Sequence, residues 1–289
     1  MNTHTSNSQE SRFSQYADAF EKDGVVILRG VLNDQDMDLI GKVFDQSIKG
    51  PSKERAFPED DKIFVSMGNS PEDPIIERLM RNSVVADIAQ GLFRGGGVWY
   101  WGEQAWLKEG GDARRTPWHQ DRSYVPYSRG SYAVFWIPLE SLAAENVLEV
   151  VRGSHKDTLY NGTRYELDDD TAPLFDEKHM PRLPDIESER EKWDIYSADM
   201  ERGDILVFNG GCLHGGAPTR ASQRRRTLSL RFLSDDVLYE PRPDFQDGPL
   251  AEIQAARRDA MTPGFDKLSP GDPVVHSNAY KKVRPWPAR

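Results

Sequence analysis

The sequence predicts an α+β protein with a mainly β core, a β-sandwich or jelly roll with N-terminal helices packed on one face. Helical patterns are confined to the first third of the chain, and short apolar runs separated by glycines and prolines follow. The 289 residues, 37% of them apolar, suffice for one large β-rich core. Since the chain has no internal repeat and no clear linker, we predict a single domain over 13–289 after a disordered arm at 1–12.

The N-terminal third holds three predicted helices and one predicted strand. The two longer helices carry apolar residues at a spacing of about 3.6, and the strand is an apolar run bounded by glycines. Asn33 or Asp34 offers an N-cap to the second helix, and Gly50 before Pro51 offers a stop signal. We expect helices at 14–22, from that cap to about 49 and at 74–93, a strand at 24–30, and irregular chain at 51–73.

Short strands dominate the rest of the chain. We expect them at 98–108, 116–124, 132–138, 147–151, 205–208 and 226–232. Two segments lie outside this pattern. Residues 156–200 are acidic and irregular, and we expect an insert or lid because so long a connection is usually functional or mobile. Residues 240–289 are rich in Pro and Gly and are expected to wrap around the outside.

Composition excludes several classes of protein. Lys and Arg total 37 against 47 Asp and Glu, a net charge of −10, which argues against broad nucleic-acid binding. The single cysteine, Cys212, excludes an internal disulfide framework and a multi-cysteine zinc site. No apolar stretch approaches the roughly 18 residues of a membrane span, and the polar N-terminus lacks a secretory signal. We therefore expect a cytoplasmic protein that binds a small molecule and neither nucleic acid nor a membrane.

A His-x-Asp pair is the first candidate for chemistry. His119 and Asp121 lie two residues apart on a predicted strand, so both side chains would point to the same face. His214, in a glycine-rich loop after another predicted strand, is the best candidate for a third ligand. Two imidazoles and one carboxylate on one face form the triad of non-haem Fe(II) oxygenases. A lone His-x-Asp is a weak signal, but the combination with a distant histidine is more specific.

The second candidate for chemistry is an arginine that follows His214 in the sequence. Three open positions on such a metal can take an oxo-acid and O₂, and the far carboxylate of the oxo-acid needs a cation. Arg225 lies 11 residues after His214 at the start of a predicted strand, and a guanidinium binds carboxylate in a bidentate manner. A shift of one residue in strand register would give this role to Arg226 instead.

Aromatic and basic residues after the metal motif are candidates for substrate binding. Tyr124 and Tyr127 follow the predicted metal-binding strand, with Arg122 beside them. Together they could hold a substrate with an apolar body and an anionic group. No feature of the sequence identifies the molecule or the oligomeric state.

Several motifs in one order carry a family resemblance. They are FEKDGVVILRGVL (20–32), WHQDRSYVP (118–126), VFWIPL (134–139), GSH (153–155), GDILVF (203–208), LHG (213–215) and RRTLSLRF (225–232). On these motifs the chain, from about 20 to about 239, resembles the phytanoyl-CoA dioxygenase-like branch of the Fe(II)/2-oxoglutarate-dependent dioxygenases.

The resemblance implies a double-stranded β-helix that holds Fe(II) through His119, Asp121 and His214. It also implies that Arg225 binds 2-oxoglutarate, and that Gln104 and Trp136 lie near this co-substrate. The implied reaction uses O₂, converts 2-oxoglutarate to succinate and CO₂, and hydroxylates an unactivated C–H bond of a small organic substrate.

Two details qualify that implication. The ligand Asp121 favours hydroxylation, since relatives that halogenate leave this position to chloride. Gly216 stands where some relatives carry a hydroxyl, so one hydrogen bond to the co-substrate is expected to be missing or moved. The alternative function is a metal-binding jelly roll, a cupin-like isomerase or sensor without oxygenase activity, which would not need Arg225.

Overall fold

The helices and strands of the computed structural model follow the predicted order. The structure describes residues 12–57, 60–68, 72–110, 113–128, 130–219, 224–243 and 262–285. Four α-helices occur there, and all four lie before Val98, where the long central strands of the core begin. They are α1 (Ala17–Asp23), α2 (Asp34–Lys49), α3 (Pro74–Asn82) and α4 (Val85–Leu92).

The strands follow mostly after the helices. They are β1 (Val25–Leu28), β2 (Lys53–Phe57), β3 (Asp60–Met67), β4 (Val98–Lys108), β5 (Thr116–His119), β6 (Tyr132–Pro138), β7 (Leu148–Val151), β8 (Ile195–Tyr196), β9 (Ile205–Asn209), β10 (His214–Gly216), β11 (Arg225–Ser234) and β12 (Lys281–Arg284). Short 3₁₀ turns connect several of them, and the one at Asp121–Tyr124 directly follows β5.

Two antiparallel sheets make up the β core. The larger sheet has eight strands in the order β1-β9-β6-β11-β4-β3-β2, with β12 paired to β4. The smaller sheet has four strands in the order β5-β10-β7-β8. The predicted α+β jelly roll with a mainly β core and helices on one face is therefore confirmed.

Successive side chains on the central strands point to opposite faces of the larger sheet, so each strand contributes to two layers. Leu228, Leu230 and Phe232 of β11 pack with the apolar faces of α2, α3 and α4. The residues between them, including Thr227 and Ser229, face the other way and line a cavity bounded also by β5 and β10. The larger sheet thus has an apolar face under the helices and a polar strip over the smaller sheet.

Two N-terminal predictions hold and two are wrong. The predicted cap of α2 is confirmed, because the Asn33 side chain accepts from the Asp36 N–H while the Asp36 carboxylate accepts from the Asn33 N–H. Strand β1 is also confirmed. The single helix expected at 74–93 is two helices, since Ser83 is extended and its hydroxyl donates to the Leu79 carbonyl. The segment 51–73, expected to be irregular, contains the β2–β3 hairpin.

The later segments agree with the predictions in part. Of the predicted strands, those at 98–108 and 132–138 have the expected bounds, while the short strands β8, β10 and β12 were not predicted. Segment 156–200 contains only one 3₁₀ turn, Arg190–Lys192, and β8. The arm predicted at 1–12 lies outside the described residues except for its last one. None of the helices in the described part of the chain is long and apolar enough to cross a bilayer.

Candidate active site

The structure brings the three predicted metal ligands together. His119 is the last residue of β5, His214 is the first of β10, and the two are direct partners in the antiparallel pair. Their ring centroids are 4.2 Å apart. Oδ1 of Asp121 lies 3.5 Å from Nε2 of His119 and 3.7 Å from Nε2 of His214. One ligand atom from each residue lies within 4.8 Å of the others, so the cluster can hold one metal ion.

The strand predicted at 116–124 ends at His119, and this changes how Asp121 is aimed. Asp121 begins a 3₁₀ turn, so the argument from alternation along a strand does not apply to it. The turn is anchored where the N–H of Arg122 donates to the carbonyl of Gly210, at 2.8 Å. The turn, rather than a shared strand face, directs the carboxylate to the two imidazoles.

Backbone carbonyls orient both imidazole rings. Nδ1 of His119 donates to the Pro117 carbonyl at 2.9 Å, and Nδ1 of His214 donates to the Cys212 carbonyl at 3.0 Å. Since a carbonyl can only accept, each Nδ1 carries a proton, and in the neutral ring Nε2 then presents a lone pair. This is the tautomer that a metal-binding histidine needs.

The electrostatics of the cluster suit a divalent cation. Burial and the neighbouring His119 lower the pKa of His214 to about 3, so its imidazole is neutral. Burial raises the pKa of Asp121, but neighbouring positive charge, foremost the Arg231 guanidinium, holds it well below its usual value. Neutral imidazoles and an ionised carboxylate are the protonation states that bind a metal. The donor set therefore fits a divalent ion with open coordination positions.

Arg225 lies in the same cavity as the triad, on the larger sheet. It begins β11 opposite Lys108 of β4, it is 6% exposed, and burial lowers its pKa to about 10. Its Nη1 donates to the Asn146 carbonyl at 2.6 Å. In the described part of the chain no carboxylate forms an ion pair with it. Arg226 points to the opposite face and pairs with Glu140, so the strand register puts Arg225 in the cavity.

The two other predicted co-substrate residues also line the cavity. Gln104 belongs to β4 and Trp136 to β6, two strands that flank β11 in the larger sheet. Oε1 of Gln104 accepts a hydrogen bond from Nη2 of Arg231 at 2.7 Å. Gly216, the last residue of β10, faces Thr116 and Arg225 within the same cavity.

The predicted substrate residues divide into one near the triad and two elsewhere. Tyr124 packs edge-on against the His119 ring with centroids 6.0 Å apart. Tyr127 is fully buried in the core, and its hydroxyl shares a hydrogen bond of 2.7 Å with Tyr280. The Arg122 guanidinium donates to the carbonyls of Ser128 and Gly130. Arg122 lies on the 3₁₀ turn, where successive residues are rotated by about 120°, and Tyr127 lies beyond that turn, so nearness in sequence did not bring these two side chains into the cavity.

Three residues near the triad were not identified from the sequence. Tyr132 and Arg231 contact Oδ2 of Asp121, and Arg231 is separated from Arg225 by six residues on the same face of β11. That even spacing was a usable signal. Tyr165 lies in segment 156–200 and packs against His119 with ring centroids 5.9 Å apart. No local sequence pattern indicates that Tyr165 lies near the triad, because segment 156–200 has no periodicity.

Comparisons with known proteins identify the family of the chain. The family model described as phytanoyl-CoA dioxygenase matches residues 20–227. A human protein, peroxisomal phytanoyl-CoA dioxygenase, is 26% identical over 127 residues. That match spans 43% of this chain and only 35% of the human protein.

Solved structures share the fold at low sequence identity. The non-haem α-ketoglutarate-dependent epimerase SnoN, from nogalamycin biosynthesis, is 17% identical with a TM-score of 0.65, covering 94% of this chain and 98% of its own. EctD from S. alaskensis, solved with bound Fe, is 20% identical with a TM-score of 0.59, covering 82% of both chains. The family match extends over most of the chain and includes all three residues of the triad. The chain therefore belongs to the phytanoyl-CoA dioxygenase family of Fe(II)/2-oxoglutarate-dependent dioxygenases.

Proposed function

We propose that this chain hydroxylates an unactivated C–H bond of a small organic substrate, with O₂ and 2-oxoglutarate consumed and succinate and CO₂ released. Fe(II) is bound by Nε2 of His119, Oδ1 of Asp121 and Nε2 of His214. The far carboxylate of 2-oxoglutarate is bound by Arg225.

One observation carries the proposal. A cluster of three ligand atoms and a buried arginine without an ion-pair partner in the described residues share one cavity. Burying a charge without a counter-ion is costly. A dicarboxylate that reaches from the metal to the guanidinium offsets that cost, and a 2-oxo-acid has this shape.

Each residue has a defined task in the reaction. The three protein ligands leave three coordination positions for the oxo-acid and O₂. The bound iron supplies the oxidising chemistry, which no side chain can provide. Arg225 fixes the far end of the oxo-acid by a bidentate contact, and Gln104 and Trp136 border its path. The histidines are at most 9% exposed, so water is largely excluded from the site.

Hydroxylation of a small molecule is supported by the ligand set and by the fold neighbours. The carboxylate of Asp121 occupies the position that halogenating relatives leave to chloride. One structure of SnoN holds Fe³⁺, α-ketoglutarate and nogalamycin RO, and one of EctD holds 2-oxoglutarate and 5-hydroxyectoine. The neighbours also include a carbocyclase, SnoK, that is α-ketoglutarate-dependent like SnoN, so the fold serves several reaction outcomes with the same co-substrate.

The alternative is a metal-binding jelly roll that acts as an isomerase or sensor without oxygenase activity. Such a protein needs the two histidines but has no use for a buried arginine at the far end of the cavity. The position of Arg225 therefore favours the oxygenase.

An anaerobic titration tests the proposal. Fe(II) and then 2-oxoglutarate are added to metal-free protein, and the visible spectrum is recorded. We expect a weak metal-to-ligand charge-transfer band that is absent in His214→Ala and Arg225→Ala. Arg226→Ala is the matched control, because this neighbour pairs with Glu140 on the opposite face. A folded protein that binds iron but develops no band would contradict the proposal and favour the alternative.

A further inference from the structure

Arg231 is a buried cation on the far side of the metal-binding carboxylate. It lies near the end of β11, it is 7% exposed, and it follows Arg225 on the same strand face. Its Nη2 lies 3.5 Å from Oδ2 of Asp121 and donates to Oε1 of Gln104 at 2.7 Å. The guanidinium thus contacts both a predicted metal ligand and a predicted co-substrate residue.

Tyr132 completes this contact. Its hydroxyl accepts from Nε of Arg231 at 3.2 Å and donates to Oδ2 of Asp121 at 3.3 Å. Oδ2 therefore faces two donors, whereas Oδ1 faces the two histidine Nε2 atoms. The two oxygens of one carboxylate have different partners, which fixes the rotation of the group.

We infer that Arg231 is a positioning residue that holds Asp121 so that only Oδ1 is offered to the metal, and that orients the Gln104 amide toward the co-substrate. This inference rests on the proposed metal site. Outer-shell partners of ligating carboxylates act in this way on metal affinity. The Gln104 amide is oriented because its Oε1 is engaged by Arg231, so its Nε2 is the end left to donate.

The direction in which metal affinity changes when Arg231 is removed helps to distinguish a positioning role from a purely electrostatic one. A guanidinium this close to the ligand repels a bound cation, so loss of its charge alone would tighten metal binding. Loss of the orientation of Asp121 would instead weaken metal binding. Because Arg231 also helps to keep Asp121 ionised, affinity is compared at several pH values, and weaker binding after removal of Arg231 that persists as the pH is raised reports orientation.

The binding of Co(II) to the full chain shows whether removal of Arg231 weakens or tightens metal binding. Affinity is followed by calorimetry, and coordination is followed by the visible absorption of Co(II). We expect Arg231→Met to bind Co(II) roughly 10–100-fold more weakly, the range found for outer-shell partners, with an altered spectrum. Arg231→Lys should recover part of the loss. Arg226→Met, on the opposite face of the same strand, is the control and should bind like the wild type.

A double mutant tests whether the effect passes through the carboxylate. In an Asp121→Ala background, Arg231→Met should cause no further loss of Co(II) affinity. Unchanged or tighter binding in Arg231→Met, or an equal loss without Asp121, would overturn the inference. If Arg231→Met does not fold, as judged by circular dichroism, Tyr132→Phe removes only the hydroxyl and should still weaken binding. A folded wild type that binds no Co(II) would overturn the metal site itself, a separate result.

Discussion

The absence of a side chain at residue 216 keeps room at the arginine end of the cavity. A Cβ at Gly216 would lie 2.9 Å from Oγ1 of Thr116 and 3.5 Å from Nη2 of Arg225. The first distance is tighter than ordinary contact, so a side chain here would push Thr116 or enter the cavity. At this position the chain therefore has space beside Arg225 that a side chain would fill.

We therefore predict that Gly216→Ala and Gly216→Ser both weaken the binding of 2-oxoglutarate. The expected loss is roughly 10-fold, the value of about 1.4 kcal/mol of overpacking, and metal affinity should stay unchanged. Calorimetry under argon measures the binding of Mn(II) to metal-free protein and then the binding of 2-oxoglutarate to the Mn(II)-loaded protein. Gly102→Ala is the control, since a Cβ there meets nothing within 4 Å. A tighter complex in Gly216→Ser would mean that its hydroxyl reaches the co-substrate.

Residue-level prediction worked where a side chain is positioned by its immediate neighbours. His119 and Asp121 are two residues apart, and each histidine is oriented by a carbonyl two residues before it. Arg231 and Tyr165 reach the triad from β11 and from segment 156–200. Their contacts depend on strand pairing and on the path of a long loop, which no short motif encodes. The catalytic roles of the predicted residues stay predictions.

At the scale of elements, the turn after α1 depends on Gly24. This residue ends the helix in the left-handed region at φ +72°, and its N–H donates to the Phe20 carbonyl. A Cβ here would lie 2.4 Å from both Sγ of Cys212 and Nδ1 of His155, two buried atoms. Gly24 thus serves both the helix end and the packing of β1 beside the loop before His214.

We predict that Gly24→Ala lowers the free energy of unfolding by about 2–4 kcal/mol, the sum of left-handed strain and overpacking. Gly30→Ala is the control, because Gly30 also has a positive φ of 57° but a Cβ there meets nothing within 4 Å. That variant should lose only about 1 kcal/mol. Urea unfolding of both measures the difference. Equal losses would mean that the crowding at residue 24 relaxes without cost.

Segment 156–200 is tied to the smaller sheet by Glu149 of β7. Its carboxylate accepts from Arg190 of that segment at 2.5 Å and from Arg115 at 3.0 Å. Burial raises the pKa of Glu149, but these two arginines more than offset it and hold the pKa below its ordinary value of 4.5. The stabilisation is therefore complete above about pH 4.5 and is lost as the pH falls through the lowered pKa.

We predict that Glu149→Gln lowers the free energy of unfolding by about 1–2 kcal/mol at pH 7. The difference from the wild type should begin to shrink below pH 4.5 and approach zero as the pH falls through the lowered pKa of Glu149, because the wild-type carboxylate is then protonated too. Denaturant unfolding across this pH range measures it. Glu189→Gln, which removes a carboxylate exposed beside Lys192, should change stability by less than about 0.5 kcal/mol. A difference that persists at low pH would exclude the carboxylate charge as its cause.

Helices and strands with a clear periodicity of apolar residues were largely predictable from the sequence. Element boundaries and strands that depend on contacts elsewhere in the fold were not. The 3.6 spacing over 74–93 continues across Ser83, so it could not indicate that the chain breaks there into α3 and α4. Strand β2 is mostly exposed and charged, and it is a strand because β3 pairs with it. Strand β5 ends at His119 because the chain must turn there to bring Asp121 to the histidines. For β2 and β5, tertiary contacts overrode the local pattern.

At the scale of the whole molecule, the proposed site spans the two sheets. His119 and His214 belong to the smaller sheet, with Asp121 on the turn that follows it, whereas Arg225 and Gln104 belong to the larger sheet. The segregation of helices before strands predicted the layers correctly. It could not predict which strands face each other across the cavity, since that depends on pairings between distant segments such as β5 with β10.

Because the proposed site is divided between the two sheets, we predict that a metal ion and 2-oxoglutarate stabilise the folded protein in two separate steps. In the proposed site a metal ion would join residues of the smaller sheet and its adjoining turn, and 2-oxoglutarate would then link that metal to Arg225 on the larger sheet. A ligand that binds only the folded state at 100 times its Kd stabilises it by about 2.7 kcal/mol, which is roughly 5–10 °C for a chain of this size. We expect Mn(II) alone to raise the Tm by one such step and 2-oxoglutarate to add a second.

Variants separate the two steps, as thermal melts without O₂ can show. Arg225→Ala should keep the step caused by Mn(II) and lose the step caused by 2-oxoglutarate. His214→Ala should lose both, because the oxo-acid has no metal to bind, and Arg226→Ala should keep both. If 2-oxoglutarate raised the Tm equally without metal, it would be held by the arginine alone, and the cavity would be an anion site rather than the link between the two sheets.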